Sequence, residues 1–228
     1  MQHVELNGAG ILVTGASGGL GRPVLELLAA AGARLVVSGR DAGRLRELPG
    51  HPVAADLRLP GEPERLVAQA AGHLGRLDGL VHAAGVVAFG PAEQADDDLL
   101  DELFLADAIG PIRLLRAALP HLRAGRDPFA VLISAVVAER PQPGMAAYSA
   151  AKAALSAFTL ATAREERRGV RVVDVRPPHT GTGLAGRPVA GTSPRLPAGL
   201  EPDAVARRIV RAITDGERDV PAAAFAPT

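Results

Sequence analysis

Hydrophobic and polar positions follow two patterns that alternate along almost the whole chain. Short, nearly continuous apolar runs, such as Arg34–Ser38 (RLVVS) and Phe129–Ser134 (FAVLIS), are typical of strands buried on both faces. Between them lie segments with apolar residues at helical spacing, such as Leu20–Ala31 with Leu25 and Leu28 on one side. Strand and helix therefore alternate, which predicts parallel strands joined by crossover helices.

The predicted elements form a single α/β domain over residues 1–228, a doubly wound parallel sheet of about six to seven strands with helices on both faces. The stretch Arg176–Pro202, rich in Gly and Pro, is predicted to be a loop. Strands are predicted at Gly10–Val13, Arg34–Ser38, His51–Ala55, Leu77–His82, Phe129–Ser134 and Val170–Val175, with a short last strand at Asp219–Val220. Helices are predicted at Leu20–Ala31, Ala42–Leu48, Pro63–His73, Ala92–Phe104, Ile109–Leu122, Met145–Arg168 and Pro202–Thr214.

Composition and charge narrow the class of protein. The formal net charge is +0, which argues against binding to nucleic acid or to an anionic membrane. The apolar runs are too short to span a bilayer, and residues 1–10 lack the basic and apolar regions of a signal peptide. We therefore expect a cytoplasmic protein without membrane partners. Because the chain has no cysteine, disulfides and thiolate metal ligands are excluded, and no metal site is predicted.

A glycine-rich loop, TGASGGLG, lies between the first predicted strand and the first predicted helix. Glycines there allow the backbone to approach a pyrophosphate, and the helix N-terminus supplies N–H groups and a positive dipole end. The alternative is a tight turn that is glycine-rich for local reasons only, but the strand–loop–helix context favours nucleotide binding. The predicted cofactor-binding residues in this loop are Gly15, Ser17, Gly18, Gly19, Leu20 and Gly21.

The end of the second predicted strand, Ser38-Gly39-Arg40, bears on which nucleotide binds. An acidic residue at this place accepts hydrogen bonds from ribose hydroxyls and repels a 2′-phosphate, whereas an arginine does the reverse. Gly39 stands where the acid is expected, and the planar guanidinium of Arg40 suits a phosphate. NADP(H) is therefore predicted in preference to NAD(H), the alternative being that Arg40 is an ordinary solvated arginine.

Tyr148 and Lys152 are the only tyrosine and the only lysine in a chain with 25 basic residues. Their spacing places both on one face of a helix. A free phenol has a pKa of about 10, and a nearby ammonium favours the phenolate and lowers that pKa. Lysine is a compact charge that arginine does not replace, which explains its retention here. The pair places an ammonium near a phenol on one helix face; the alternative is one surface lysine and one half-buried tyrosine.

The glycine loop, the Tyr148-Ser-Ala-Ala-Lys152 segment and their order along the chain resemble the short-chain dehydrogenase/reductase family, over essentially the whole length. The resemblance implies a Rossmann fold in which Tyr148 exchanges a proton with a substrate oxygen while hydride moves to or from a nicotinamide. It further implies cofactor contacts from Asp56 and Leu57 after the third strand, Ala83, Ala84 and Gly85 after the fourth, Pro177, Thr180 and Thr182 in the late loop, and Tyr148 and Lys152 themselves.

The sequence departs from the family pattern at two supporting positions. Ala135 occupies the place of the family's active-site serine, so that Ser134 fills this catalytic role only if the register shifts by one residue; otherwise the hydroxyl is missing. Asp107 replaces the family's asparagine, and it either orients a water near Lys152 or pairs with Lys152 and partly cancels its effect on Tyr148. His82 also replaces an asparagine, and we interpret it as a structural turn residue.

The resemblance implies a small carbonyl or alcohol substrate under a lid formed by residues 183–201. The apolar Val86, Val87 and Phe89 suggest a largely apolar substrate. Similar proteins associate through helices equivalent to Ile109–Leu122 and Met145–Arg168, so a homodimer or homotetramer is expected. The altered residues leave open two alternatives, non-redox chemistry such as cyclisation or isomerisation, and a nucleotide-binding regulator.

Overall fold

Seven parallel strands form one sheet, and the computed structural model of the protein describes them within residues 4–225. Residues 1–3, part of the segment expected to carry no signal peptide, lie outside the described range. The strands are β1 (Gly10–Thr14), β2 (Arg34–Gly39), β3 (His51–Ala54), β4 (Gly79–His82), β5 (Phe129–Ile133), β6 (Arg171–Val175) and β7 (Asp219–Val220). Their order in the sheet is β3-β2-β1-β4-β5-β6-β7, which confirms the predicted doubly wound topology.

Helices cover both faces of the sheet and bury it. They are α1 (Gly21–Ala30), α2 (Ala42–Leu45), α3 (Glu62–Leu74), α4 (Asp97–Phe104), α5 (Gly110–Leu122), α6 (Ala146–Glu165) and α7 (Pro202–Thr214). Leu28 of α1 and Ile209 of α7 belong to the apolar cluster on one face, and Leu66, Leu114 and Leu155 of α3, α5 and α6 belong to the other. No helix within residues 4–225 has the length and apolar character needed to cross a membrane.

The predicted boundaries agree with the observed ones to within three residues, with one exception. The segment predicted as a helix over Ala92–Phe104 contains a short 3₁₀ turn at Ala92–Gln94, and α4 begins only at Asp97. The cause is a helix N-cap, because the side chain of Asp96 accepts a hydrogen bond from the backbone N–H of Leu99 at 2.9 Å.

A π-helical turn, Leu105–Ile109, joins α4 to α5. The sequence predicted two separate helices here, because a change of helical pitch leaves the apolar pattern almost unaltered. Gly110 follows the turn, and a Cβ at that position would lie 2.8 Å from the backbone oxygen of Leu57. Such wide turns are rare and concentrate at functional sites. This one carries Asp107 at its centre.

A fully buried carboxylate, Asp174, stabilises the carboxyl edge of the sheet. It accepts hydrogen bonds from the hydroxyl of Ser134 at 2.6 Å and from that of Ser156 at 2.5 Å. Arg176, itself buried, donates to the same carboxylate at 2.5 Å. The ends of β5 and β6 and the middle of α6 are thereby joined through one charged group.

Arg176 extends this network to two further acidic side chains. It donates to Glu139, which lies in the segment between β5 and α6, and to Asp219 of β7 at 2.7 Å. Because one guanidinium contacts carboxylates from three segments, the loops on both sides of β6 are held in fixed positions.

Replacing Arg176 by methionine is expected to lower the free energy of unfolding by about 3–5 kcal/mol, since Asp174 would then be buried without its cation. Urea unfolding followed by circular dichroism measures this change. Arg22→Met is the matched control, because it removes an exposed pair with Glu26 that is worth about 0–1 kcal/mol. Equal losses in the two variants would contradict a central role for the buried network.

Candidate active site

A cavity opens where the carboxyl ends of β1 and β4 lie side by side. Its volume is about 630 Å³, which falls in the range of small-molecule and cofactor sites. In a doubly wound sheet this is the point where strand order reverses, and ligands bind in the crevice it creates.

The glycine loop between β1 and α1 is packed directly against the turn that follows β4. Gly15 has a φ of 69°, and a Cβ there would lie 2.4 Å from the backbone nitrogen of Ala84. The loop also folds on itself, with the N–H of Gly18 donating to the oxygen of Gly15 at 2.9 Å. A side chain at position 15 has no room, so the loop backbone forms the cavity wall at the start of α1.

Two arginines line the cavity at the end of β2. Arg40 is exposed there, as expected from its position after Gly39. Arg44, which the sequence analysis did not select, lies beside it and donates to the backbone oxygen of Ser17 at 3.0 Å. The sequence contained a signal for Arg44, since it follows Arg40 by four residues. Asp41, between them, is the N-cap of the short helix α2.

The predicted adenine-contacting residues, Asp56 and Leu57, line the cavity after β3, and Asp56 is already paired. Arg58 donates to the carboxylate of Asp56 at 2.6 Å and to that of Glu102 on α4 at 2.7 Å. The hydrogen bond from Arg58 lowers the pKa of Asp56 below its usual value and outweighs the effect of partial burial. Asp56 is therefore held as a carboxylate in a fixed orientation.

Tyr148 and Lys152 lie one turn apart near the start of α6, and both line the cavity although they are almost fully buried. The Nζ of Lys152 is 5.9 Å from the centre of the Tyr148 ring and 3.5 Å from the backbone oxygen of Ile133. The predicted pairing of these two residues on one helix face is seen in the structure. A phenol and an ammonium thus share the innermost part of the cleft.

Asp107 faces the same ammonium from behind the cavity wall. Its Oδ1 is 3.2 Å from the Nζ of Lys152, and its side chain is fully buried. Burial raises the pKa of Asp107, an effect that Lys152 opposes. Burial also raises the pKa of Tyr148, and the nearby Asp107 raises it further. Of the two alternatives for Asp107, the structure contains the pairing with Lys152.

The hydroxyl of Ser134 points away from the role considered for it. It donates to Asp174 at 2.6 Å, within the buried network that supports β6. Ala135, at the family's serine position, lines the cavity with a methyl group. Successive residues of an extended strand point to opposite sides, so the hydroxyl of Ser134 is turned to Asp174 although the residue borders the cavity. A catalytic role for Ser134 stays a prediction that this contact does not support.

His82 ends β4 beneath the cavity and joins it to β1. Its Nδ1 is 2.8 Å from the hydroxyl oxygen of Thr14. Burial, together with the charge of Lys152, lowers the pKa of His82 to about 3, so its imidazole is neutral. This agrees with its interpretation as a structural turn residue.

The late loop covers the cavity from the other side. Thr182 lies on the glycine loop, since a Cβ at Gly19 would be 2.5 Å from its backbone oxygen. Farther along, the N–H of Val189 donates to the oxygen of Val87 at 2.8 Å, and that of Phe89 to Ala190 at 3.0 Å. The predicted lid segment is thus attached by main-chain hydrogen bonds to the strand-like segment after β4.

The predicted site residues converge on this one cavity, with two exceptions. Gly21 is buried at the start of α1, and Asp107 lies behind Lys152. The predicted residues that line the cavity are Gly15, Ser17, Gly18, Gly19, Leu20, Arg40, Asp56, Leu57, Ala83, Ala84, Gly85, Ser134, Tyr148, Lys152, Pro177, Thr180 and Thr182.

Comparisons with known proteins agree with this geometry. A family model described as short chain dehydrogenase matches residues 9–190. A short chain dehydrogenase of Pseudocercospora fijiensis is 33% identical over 71% of this chain, which spans 56% of the length of that relative. Dehydrogenase/reductase SDR family member 7B of Bos taurus is 29% identical over 92% of this chain and 72% of its own length.

A solved structure shows the same fold over nearly the entire chain. The 3-ketoacyl-(acyl-carrier-protein) reductase of Brucella melitensis, complexed with NADH, superposes with a TM-score of 0.83 at 24% identity and covers 98% of this chain and 95% of that one. The protein belongs to the short-chain dehydrogenase/reductase family. It is an oxidoreductase of that family, whose members use nicotinamide cofactors.

Gly15→Ala is expected to weaken dinucleotide binding by at least about tenfold, because the added methyl group would push the glycine loop away from Ala84. Titration of NADPH, followed by its fluorescence, measures the change. Gly8→Ala is the control, since Gly8 has a similar φ of 74° with nothing within 4 Å of its Cβ position. Unchanged affinity in the Gly15 variant would contradict the assignment of this loop to the cofactor.

Proposed function

We propose that this protein is an NADP(H)-dependent oxidoreductase that interconverts a carbonyl group and an alcohol, with Tyr148 as the proton donor and acceptor. The observation that carries the proposal is the position of Tyr148 and Lys152 at the inner end of a cavity whose other wall is the glycine loop. Nucleotide and acid–base groups therefore share one cleft of about 630 Å³.

The residues present fit a dinucleotide. The glycine loop leaves its backbone exposed to the cavity because Gly15 and Gly19 have no space for a side chain. The start of α1 lies beside it and suits a pyrophosphate. Asp56 and Leu57 suit the adenine, and Lys152, Thr180 and Thr182 suit the nicotinamide half. When bound, a reduced nicotinamide supplies hydride.

Tyr148 performs the proton transfer in this proposal. In reduction the phenol of Tyr148 would give its proton to the carbonyl oxygen, while a bound reduced nicotinamide would supply the hydride for the carbonyl carbon, so that an alcohol forms. The phenolate left on Tyr148 would regain its proton from solvent. The reverse reaction requires the phenolate as base. Burial of Tyr148 raises its pKa and favours the phenol form.

The preference for NADP(H) rests on two arginines. Arg40 and Arg44 both line the cavity at the end of β2, and Gly39 there offers no carboxylate to repel a 2′-phosphate. Arg44 is additionally held over the glycine loop by its hydrogen bond to Ser17. Two guanidinium groups at one exposed end of the cavity favour an added phosphate.

The substrate part of the cavity is largely apolar. Val86, Val87 and Phe89 line it from the segment after β4, and Met145, which precedes α6, and Leu184 of the proposed lid line it as well. A small carbonyl compound with an apolar body is the substrate class that fits. Residues 183–201 are assigned as its lid, because their anchored part closes one side of this space.

We place the homodimer or homotetramer contact on α5 and α6. Ala150, Ala157 and Ala161 of α6 are exposed and follow one another at helical spacing. Small side chains on one helix face allow another helix to approach closely. This contact leaves the cavity accessible, since Tyr148 and Lys152 lie on the buried face of α6.

Tyr148→Phe is expected to reduce carbonyl-dependent NADPH oxidation by about 10²–10⁴-fold while dinucleotide binding persists, because only the proton donor is lost. Consumption of NADPH with a panel of ketones and aldehydes measures the rate. Retained NADPH binding is the internal control for a folded site. Turnover equal to that of the wild type would contradict the proposed role.

Arg40→Leu is expected to weaken NADPH binding by about 10–100-fold and to leave NADH binding nearly unchanged, since only a charge-assisted contact to the 2′-phosphate is removed. Calorimetric titration with both dinucleotides measures the difference. Arg46→Leu provides the control, because Arg46 is exposed on the same segment and does not line the cavity. Parallel losses for NADPH and NADH would refute the assignment of Arg40.

A further inference from the structure

The ion pair between Asp107 and Lys152 is almost fully buried, and of its two residues only Lys152 borders the cavity. The side chain of Asp107 is 0% exposed and that of Lys152 is 5% exposed, with Oδ1 and Nζ 3.2 Å apart. A buried charge without a partner is strongly unfavourable, so each of these groups depends on the other. The ammonium that the proposed mechanism requires is therefore already engaged.

Three segments fix the geometry of this pair. Asp107 comes from the π-helical turn between α4 and α5, and Lys152 from α6. The third segment is the turn after β4, where the N–H of Val86 donates to Oδ1 of Asp107 at 3.1 Å. A Cβ at Gly85 would lie 2.6 Å from that oxygen and 3.1 Å from the Nζ of Lys152. Only a glycine permits this turn to pack against both charges.

We propose that Asp107 is a positioning residue that holds and neutralises the ammonium of Lys152, so that Tyr148 remains a phenol and the site favours carbonyl reduction over alcohol oxidation. The inference deepens the proposed function and rests on it. An asparagine at this position would keep a similar shape and leave Lys152 with its full positive charge beside Tyr148. Exchanging asparagine and aspartate at position 107 thus changes the charge of the side chain and leaves its size nearly constant.

The other charged groups near this pair do not offset it. Glu102 of α4 adds further negative charge near Asp107 but is itself paired with Arg58. His82 below the pair is neutral near pH 7, since its pKa is lowered to about 3. Among the described residues, the balance of positive and negative charge near Tyr148 is therefore set by Asp107 and Lys152.

The relative rates of carbonyl reduction and alcohol oxidation at a given pH follow from the protonation state of Tyr148. Burial and the charge of Asp107 both raise its pKa, so the phenol persists over the whole neutral range. A phenol is the form needed to give a proton to a carbonyl oxygen. Alcohol oxidation needs the phenolate, whose population is small until the pH approaches that raised pKa.

The proposal can be tested without any substrate, because Tyr148 is the only tyrosine and the chain has no tryptophan. The tyrosinate absorbance band of the full-length protein therefore reports this one phenol. In the wild type the band should appear only as the protein unfolds at alkaline pH, monitored by circular dichroism. In Asp107→Asn it should appear while the protein is still folded, at a pH lower by at least about one unit.

Matched variants separate this effect from general damage. Asp101→Asn removes an exposed carboxylate from the neighbouring helix α4 and should leave the titration unchanged. Tyr148→Phe supplies the blank. If Asp107→Asn does not fold, Asp107→Ser removes the same charge and should shift the band in the same direction. Coincident titrations of the wild type and the folded Asp107 variant would overturn the proposal.

Kinetics supply the second measurement. The pH profile of alcohol oxidation should move to lower pH in Asp107→Asn by the same amount as the absorbance band, with carbonyl reduction near pH 7 changing less. Absence of any carbonyl turnover in the wild type would contradict the proposed function. Coincident titration curves would contradict the role of Asp107 specifically, so the two failures are distinguishable.

Discussion

The pairing of β1 with β4 is the constraint on which the rest of the site depends. These strands are adjacent in the sheet although β2 and β3 separate them in the chain, and Thr14 lies opposite His82 in their register. The connections that leave the two strands must diverge to opposite faces, which opens the crevice between them. The glycine loop, the turn at Gly85 and the buried Thr14–His82 contact all follow from this one pairing.

Two buried charge clusters lie along the same carboxyl edge, and they differ in what they leave available. Asp174 is saturated by two hydroxyls and a guanidinium, so it serves the sheet alone. The pair of Asp107 and Lys152 is smaller, and Lys152 still faces the cavity. Because every partner of Asp174 belongs to the buried network, the first cluster is structural. In the second cluster Lys152 has one partner in Asp107 and still borders the cavity, so one cation remains next to Tyr148.

Much of the fold follows from the sequence because the strands are continuous apolar runs and glycines mark several of the turns between the elements. The positions of Tyr148 and Lys152 were predictable for a similar reason, since one helical turn fixes their relation. Less could be predicted where the answer depends on orientation. Whether Ser134 faces the cleft or the sheet depends on the alternation of side chains along an extended strand end, and its partner, Asp174, is 40 residues away. The π-helical turn at Asp107 leaves no mark in the apolar pattern, and the contact of Arg44 with the backbone oxygen of Ser17 is visible only in the folded chain.

The attachment of residues 183–201, the proposed lid, has a consequence for how the substrate range can change. Both ends of residues 192–199 are tied by main-chain bonds, Phe89 to Ala190 on one side and Leu200 to His179 on the other. At the first tie Gly191, with a φ of 71°, lies so close to the oxygen of Phe89 that no side chain fits. Both ties are main-chain hydrogen bonds, so the residues at positions 192–198 can vary while the frame stays closed. Gly199 is the exception, because a Cβ there would lie 2.7 Å from the backbone nitrogen of Gly181. The segment behaves as an interchangeable insert, through which a lineage could acquire new substrates without rebuilding the dinucleotide cleft.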